Sequence, residues 1–315
     1  MIAERQPCAP PIRYAGRWMN RRNRAALVTL NVGERYRSLW RRYSSFAWHS
    51  YADKHRLDVI AIDQPIDSSS LARSRSPAWQ KLLVLGQDFA KRYEQIVWVD
   101  SDVIINPSSP LITNGVPVER IGAVDEFSLP SRAQHSLAVD RVASANRVAA
   151  EHTWLTPKSY YESWGLPGGF DHVVQTGVLV LSQKHHREIL EHVYYSYDDR
   201  GAPIWHYEMR PLSYELIRGG LVDWVDSRFN SLWIYVKAVH YPWLLEDKYP
   251  RLKRHKGGRR IANRLDEARL REPVAAALLN NYFLHFASSP YDMRAVRMVQ
   301  SESWTRKALG SMLCT

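Results

Sequence analysis

Two aspartates one residue apart, Asp100 and Asp102, close the apolar run in "IVWVDSDVIINP", residues 96–107. Two carboxylates so close together must be solvated, paired or bound to a cation, because a bare buried charge is costly. Residues i and i+2 of an extended segment point to the same side. Both acids can therefore address one ion, or one can take the ion while the other binds a ribose. Hard cations such as Mn²⁺ or Mg²⁺ prefer oxygen ligands and commonly bridge carboxylates to phosphates. A D-x-D triplet alone is a weak signal, since an Asp-rich strand exit before the turn-forming Asn106-Pro107 looks the same. This is the one D-x-D in the chain, and it follows a long aromatic-apolar strand.

The elements that must position these acids alternate. "AALVTLNV" (25–32) reads as a buried strand, residues 34–55 as a helix, and "LDVIAID" (57–63) as a second strand. In "SPAWQKLLVLGQDFAKRYEQ" Ser76 suits a helix cap and Pro77 the first turn. The strand "IVWV" then delivers Asp100. "RIGAVDEF" (120–127) and "VVQTGVLVLS" (173–182) read as strands, "QKHHREILEHVYYSY" and "YEMRPLSYELIRGG" as helices, and "LVDWVDSRFNSLW" as a strand with an ordered turn. Such alternation favours an α/β fold with a mostly parallel central sheet flanked by helices. In open α/β sheets ligands gather at the C-terminal ends of strands, which is where Asp100 lies.

Size and charge set the bounds. At 315 residues the chain can bury one large core. With no internal repeat or Gly/Ser linker, one domain over 1–315 is the simplest division: a basic extension at 1–24, a readable core at 25–291 and a tail at 292–315. No apolar stretch approaches a membrane span, and the N-terminus has no signal-peptide run, so a cytoplasmic protein is expected. Two cysteines, Cys8 and Cys314, form neither a zinc cluster nor a disulfide framework. The net charge of +11 favours an anionic partner. Part of it lies in "RLKRHKGGRR" (251–260), which reads as an exposed loop able to meet an anionic membrane surface, placing the protein at the inner membrane face. No helix-turn-helix, zinc-finger or RNA-recognition signature accompanies that run, so no nucleic-acid partner is expected. The single glycine of "LNVGERYRS" is too few for the Gly-rich loop of a nucleotidyltransferase.

Six segments in order resemble the GT-A nucleotide-sugar glycosyltransferases of the glycogenin-like kind, and the related galactosyl- and mannosyltransferase groups. They are "ALVTLNVGERY", "WQKLLVL", "IVWVDSD" with "RIGAVDEF", "VQTGVLVLS", "YEMRPLSYELI…VDSRFNSLW" and "FLHFASSP", spanning about residues 25–291. The resemblance implies a Rossmann-like GT-A fold and a Mn²⁺ (or Mg²⁺) held by Asp100, Asp102 and His285. It implies a nucleotide-sugar donor, UDP-sugar favoured, and transfer of a hexose to a glycan, glycolipid or other hydroxyl acceptor with retention. Asn31 and Tyr36 would then lie near the base and Arg294 near the diphosphate, while Lys81 would pair with the diphosphate or with the donor-side acids, or merely snorkel to water. Glu208 and Gln175 would face the donor sugar. Were the enzyme inverting, Asp125, Glu126 or Glu208 would be the base. By itself His285 also reads as a core histidine between Phe283 and Phe286. Glu208-Met209 replaces the family's Asp-Gln, Gln175 replaces an asparagine, and Ala287 stands for the glycine of the closing H-F-x-G. The family's diphosphate-gripping lysine is missing, with Arg294 or Arg297 in its place. These departures keep a catalytically inactive carbohydrate-binding relative as the alternative, beside a basic nucleic-acid-binding protein.

Overall fold

A computed structural model describes residues 12–13, 23–146, 156–200 and 207–296. Ten strands are present among them. They are β1 (Ile12–Arg13), β2 (Ala25–Leu30), β3 (Asp58–Ile62), β4 (Gln95–Val99), β5 (Val103–Ile105), β6 (Ile121–Asp125), β7 (Val174–Leu181), β8 (Val222–Trp224), β9 (Ser231–Leu232) and β10 (Phe283–His285). Seven form the main sheet in the order β1-β3-β2-β4-β7-β6-β8. The β3-β2-β4 half is parallel. β7 then runs antiparallel to both β4 and β6, so the α/β sheet is mixed. Because β6 is antiparallel to β7 and β7 to β4, the C-terminal ends of β4, β6 and β8 share one edge.

Both faces of the sheet are covered, which explains the unbroken apolar runs. Along β4, Ile96 and Trp98 enter one core with Leu82, Leu85, Leu190 and Val193, while Val97 and Val99 enter the other with Trp48, Val103 and Phe283. The first core is roofed by a 3-10 helix at Pro77–Gly86 and the helix Gln183–Ser196. Ser76 caps that 3-10 helix through Ala78 N–H, as its sequence suggests, but the segment is not amphipathic: every side chain from Trp79 to Leu85 is buried. The second core lies under the helix Ser45–His55 and a small sheet, β5-β10-β9.

One expectation is corrected. "RLKRHKGGRR" is not a loop: it spans the helix Pro250–Lys253 and the start of the 25-residue helix Lys256–Asn280. Its second glycine marks a contact rather than a break, while a Cβ at Gly257 would meet nothing within 4 Å. A Cβ at Gly258 would lie 2.3 Å from the Leu252 carbonyl oxygen, so only glycine lets the two helices meet there.

Candidate active site

The small sheet is what brings distant residues together. Asp100 ends β4 and Asp102 precedes β5, with Val103 N–H closing the tight link by donating to Asp100 O at 3.1 Å. β5 pairs antiparallel with β10 in the register His285↔Val103. Phe286 N–H donates to Asp102 O at 2.9 Å. His285 is thereby fixed beside the two acids from nearly 200 positions away. Its Nε2 lies 3.3 Å from Asp102 Oδ1 and 4.0 Å from Asp100 Oδ2, and donor atoms of all three residues lie within 4.8 Å of one another. The aspartate side chains are 27% and 24% exposed and the histidine 4%, so the cluster is walled by the ring and open beyond the carboxylates.

The imidazole's orientation follows from a chain that starts at the backbone. Gly177 N–H can only donate, so the Gln175 atom 2.6 Å away is its carbonyl oxygen. The Asn230 atom facing that oxygen at 2.9 Å is therefore its amide nitrogen, which turns Asn230 Oδ1 toward His285 Nδ1 at 2.9 Å. An acceptor there requires Nδ1–H, which leaves Nε2 as the lone-pair atom facing Asp100 and Asp102 in the neutral ring. A fixed tautomer and an outer hydrogen-bond partner are the usual support of a metal-binding histidine. Two carboxylates plus one imidazole nitrogen fit a divalent cation of the Mn²⁺ or Mg²⁺ class. Without a cation, burial pulls the His285 pKa down, but Asp102 and Asp100 outweigh it and hold it above the ordinary value. Burial likewise works against ionised Asp102, and His285 overcomes it to keep that carboxyl below the usual range.

Behind the acids sits a buried cation. Lys81 Nζ is 3.0 Å from Asp100 Oδ1 and 2.9 Å from Glu208 Oε1, and donates to Thr176 O at 3.3 Å. Burial would depress this amine, yet the two carboxylates hold it above its ordinary value, so it stays charged. Trp98 Nε1–H donates to Asp100 Oδ1 at 2.8 Å, and Thr176 Oγ1 to Glu208 Oε1 at 3.0 Å. Asp100 is thus gripped from the protein side, Lys81 reaching its Oδ2 as well at 3.3 Å, while its side chain stays 27% exposed.

The remaining expected residues divide. Glu208 and Gln175 belong to this network, but both are committed: Glu208 neutralises Lys81, and Gln175 Oε1 holds Gly177 and Asn230. Asp125 is not part of it. Its carboxylate accepts from the Phe127 and Val173 amides, Ser128, Arg132 and His172 at 2.8–3.1 Å. Burial works against its charge, but these donors outweigh it and hold it below the usual carboxylate range, which leaves it a poor base. Its neighbour Glu126 is the contrast: buried, bonded to Tyr235 OH at 2.8 Å, and pushed up to about 7 chiefly by burial. Asn31 follows β2 with its side chain buried and Oδ1 without a hydrogen-bond partner among the described residues. Tyr36 is 47% exposed on the helix Glu34–Leu39. Arg294 lies over Tyr291 at 4.8 Å, and Arg35 sits between Tyr36 and Tyr291 at 6.0 and 5.1 Å. These four side chains join the first helix to the segment after His285. Arg297 lies outside the described residues. The closing motif also needs a correction: the left-handed backbone position that favours glycine is Ser288, φ 60°, not Ala287.

Gly177, Asn230, Trp98 and Arg35 carry parts of the site that residue types alone did not single out. Asn230 and Gly177 stood inside quoted motifs without roles, because what they do depends on His285 arriving between them. A Cβ at Gly177 would lie 2.3 Å from His285 Cε1, so that glycine exists to seat the ring.

No protein-family model matches the chain, and neither does any curated protein sequence. Solved structures similar to it are glycosyltransferases. One, involved in the glycosylation of the major capsid of PBCV-1, has 14% identity and a TM-score of 0.47 over 87% of this chain and 99% of its own. Galactosyltransferase LgtC, solved with donor and acceptor sugar analogues, has 12% identity and a TM-score of 0.40 over 90% and 99%. The bifunctional glycosyltransferase WbbM has 12% identity and a TM-score of 0.41 over 92% of this chain, which spans only 51% of that protein. These are distant likenesses, and the site's own geometry carries the functional reading.

Proposed function

We propose that the protein is a metal-dependent GT-A glycosyltransferase that moves a hexose from a nucleotide-diphosphate sugar, a UDP-sugar in first place, to a glycan or other hydroxyl acceptor. The observation that carries this reading is the convergence of Asp100, Asp102 and His285 from two strand ends into one open donor cluster, with the histidine tautomer fixed by Asn230. Bound there, a divalent cation supplies Lewis-acid stabilisation of the charge that develops on a departing nucleoside diphosphate. The chain's own residues do the rest. Lys81 pairs with Asp100 and Glu208 and holds them in place. Arg294, with Arg35 beside it, offers guanidinium groups to the diphosphate in place of the absent lysine. Asn31 and Tyr36 are the residues we assign to the base, with the exposed Tyr36 ring offering a stacking face.

Retention is the outcome we favour, because none of the three candidate carboxylates stands ready as a base. Glu208 is paired with Lys81, Asp125 is held ionised by five donors, and Glu126 is enclosed with Tyr235. In a retaining reaction a departing phosphate oxygen can take the acceptor's proton. Glu208 and Gln175 then hold the floor beneath the sugar rather than act on it chemically.

The test is Mn²⁺-dependent hydrolysis of a panel of nucleotide sugars, wild type beside Asp102→Asn. Slow release of one sugar, abolished by EDTA and by the substitution, is the expected result. Donor and Mn²⁺ binding without turnover at any acceptor would identify an inactive carbohydrate-binding relative instead. Binding of neither donor nor Mn²⁺ would refute the reading.

A further inference from the structure

The helix Lys256–Asn280 turns large apolar side chains to water among its basic ones. Before Pro273 only Ala262 is fully buried, and of the large apolar side chains there Leu270 alone packs on the core. Ile261 is 56% exposed and Leu265 39%. At 3.6 residues per turn these two lie about 40° apart on the helix. Two more exposed apolar side chains belong to segments whose backbone meets this helix. Leu252, 38% exposed, belongs to the short helix whose carbonyl packs on Gly258. Trp243, 55% exposed, is tied alongside by Arg269, which donates to its carbonyl at 2.7 Å.

Cations surround this patch. Arg251, Arg254, Lys256, Arg259, Arg260 and Arg264 are all exposed, and none forms a salt bridge among the described residues. The neighbouring Lys253 shows what neutralisation looks like here: it holds Asp247 at 2.7 Å and Asp266 at 2.8 Å. The other six repel one another with no such relief. An exposed apolar stripe and an uncompensated basic rim each cost free energy in water, and one partner relieves both.

We infer that this helix and the short helix before it form an interfacial docking surface for an anionic lipid bilayer. The apolar side chains enter the headgroup boundary while the arginines and Lys256 meet acidic headgroups. Nucleic acid would satisfy the cations but leave Ile261, Leu265, Leu252 and Trp243 in water, which favours lipid. The surface is independent of the metal cluster, so its test does not depend on the activity proposed above.

The experiment is co-sedimentation of the full chain with phosphatidylcholine vesicles, with and without about one-quarter phosphatidylserine. Binding is expected only with the acidic lipid. Each cation near such a surface contributes about five-fold in affinity, so neutralising Arg251, Arg254, Lys256 and Arg260 to glutamine should weaken binding at least about 100-fold. Ile261→Ser with Leu265→Ser should weaken it by about ten-fold or more, and Ile261→Trp should strengthen it. Unchanged thermal unfolding confirms that the variants fold. If the serine variant binds as tightly as wild type and the tryptophan variant gains nothing, the surface is merely electrostatic and the inference fails. Tighter binding to single-stranded RNA than to the acidic vesicles would overturn it as well.

Discussion

Replacing Gly177 by alanine adds one methyl group, and its consequences can be worked from the site's geometry. The new Cβ would lie 2.3 Å from His285 Cε1, 2.6 Å from Nδ1 and 3.0 Å from Gln175 Oε1. Carbon atoms rest at about 3.5–4.0 Å, so the ring must retreat by more than ~1 Å. Gly177 is not among the glycines with positive φ, and alanine therefore adds no backbone strain to confuse the result. The retreat breaks the 2.9 Å bond from Nδ1 to Asn230 and turns Nε2 away from the acids. Overpacking of this kind costs about 1–3 kcal/mol of stability. Loss of a metal ligand's outer partner costs about 10–100-fold in metal affinity. Calorimetric titration with Mn²⁺ should show that loss in Gly177→Ala, and a loss of similar size in Asn230→Ala. Gly122→Ala is the control: its Cβ would press on Val180 and Val116 at 3.0–3.1 Å, in the core and not on the histidine. It should lose stability and keep its Mn²⁺ affinity. Wild-type affinity in Gly177→Ala, or an equal loss in Gly122→Ala, would show that the ring's seat has nothing to do with metal binding.

Three further outcomes follow from the buried charges and the backbone. Lys81→Met leaves Glu208 buried without its partner and should cost about 3–5 kcal/mol in denaturant unfolding; adding Glu208→Gln should recover part of that, and no recovery would mean the pair is not coupled. Glu126 has a folded pKa of about 7 against 4.5 for the free group, so the folded state holds its proton more tightly. Its contribution is present below the unfolded value and is lost as pH rises through the folded one. Glu126→Gln should therefore become relatively more stable between about pH 4.5 and pH 8, by roughly 3 kcal/mol, and parallel stability profiles for the two proteins would rule this out. Ser288→Gly relieves a left-handed residue, φ 60°, and should raise the melting temperature slightly. The strain relieved, about 1–2 kcal/mol, exceeds the roughly 0.5–1 kcal/mol glycine costs in chain entropy.

What was legible in the sequence tracks how local the physics is. Strands buried on both faces announce themselves as apolar runs, so β2, β3, β4 and β7 lie within a residue or two of their expected positions. Ser76 and Pro77 mark a helix start correctly because a cap is a contact between near neighbours. Strand direction is not local. Nothing within "VQTGVLVLS" states that it runs against β4, and the sheet is mixed as a result. The basic run at 251–260 misleads for a related reason. Paired glycines suggest a break, but Gly258 answers to Leu252 six residues earlier, where the space for a side chain is missing.

His285 shows why the site itself was only half visible. Between Phe283 and Phe286 it reads equally well as a core histidine or as a ligand, and the structure makes these one description. The ring is 4% exposed because β10 is threaded between β5 and β9. That threading is also what sets its Nδ1 on Asn230, one residue before β9, and its Nε2 on Asp102, one residue before β5. A buried histidine normally loses its charge to the surroundings, but here Asp102 and Asp100 outweigh burial and hold its pKa above the ordinary value. The same junction of β5, β10 and β9 that completes the core therefore also gathers the three candidate ligands. Gln175, expected to face a sugar, is spent on holding Gly177 and Asn230 in place for it. Its replacement by asparagine, one methylene shorter, should break both bonds from Oε1 and loosen Mn²⁺ without touching any ligand. If Gln175→Asn instead changed the donor preference at unaltered Mn²⁺ affinity, the side chain would belong to the sugar and not to the histidine's support.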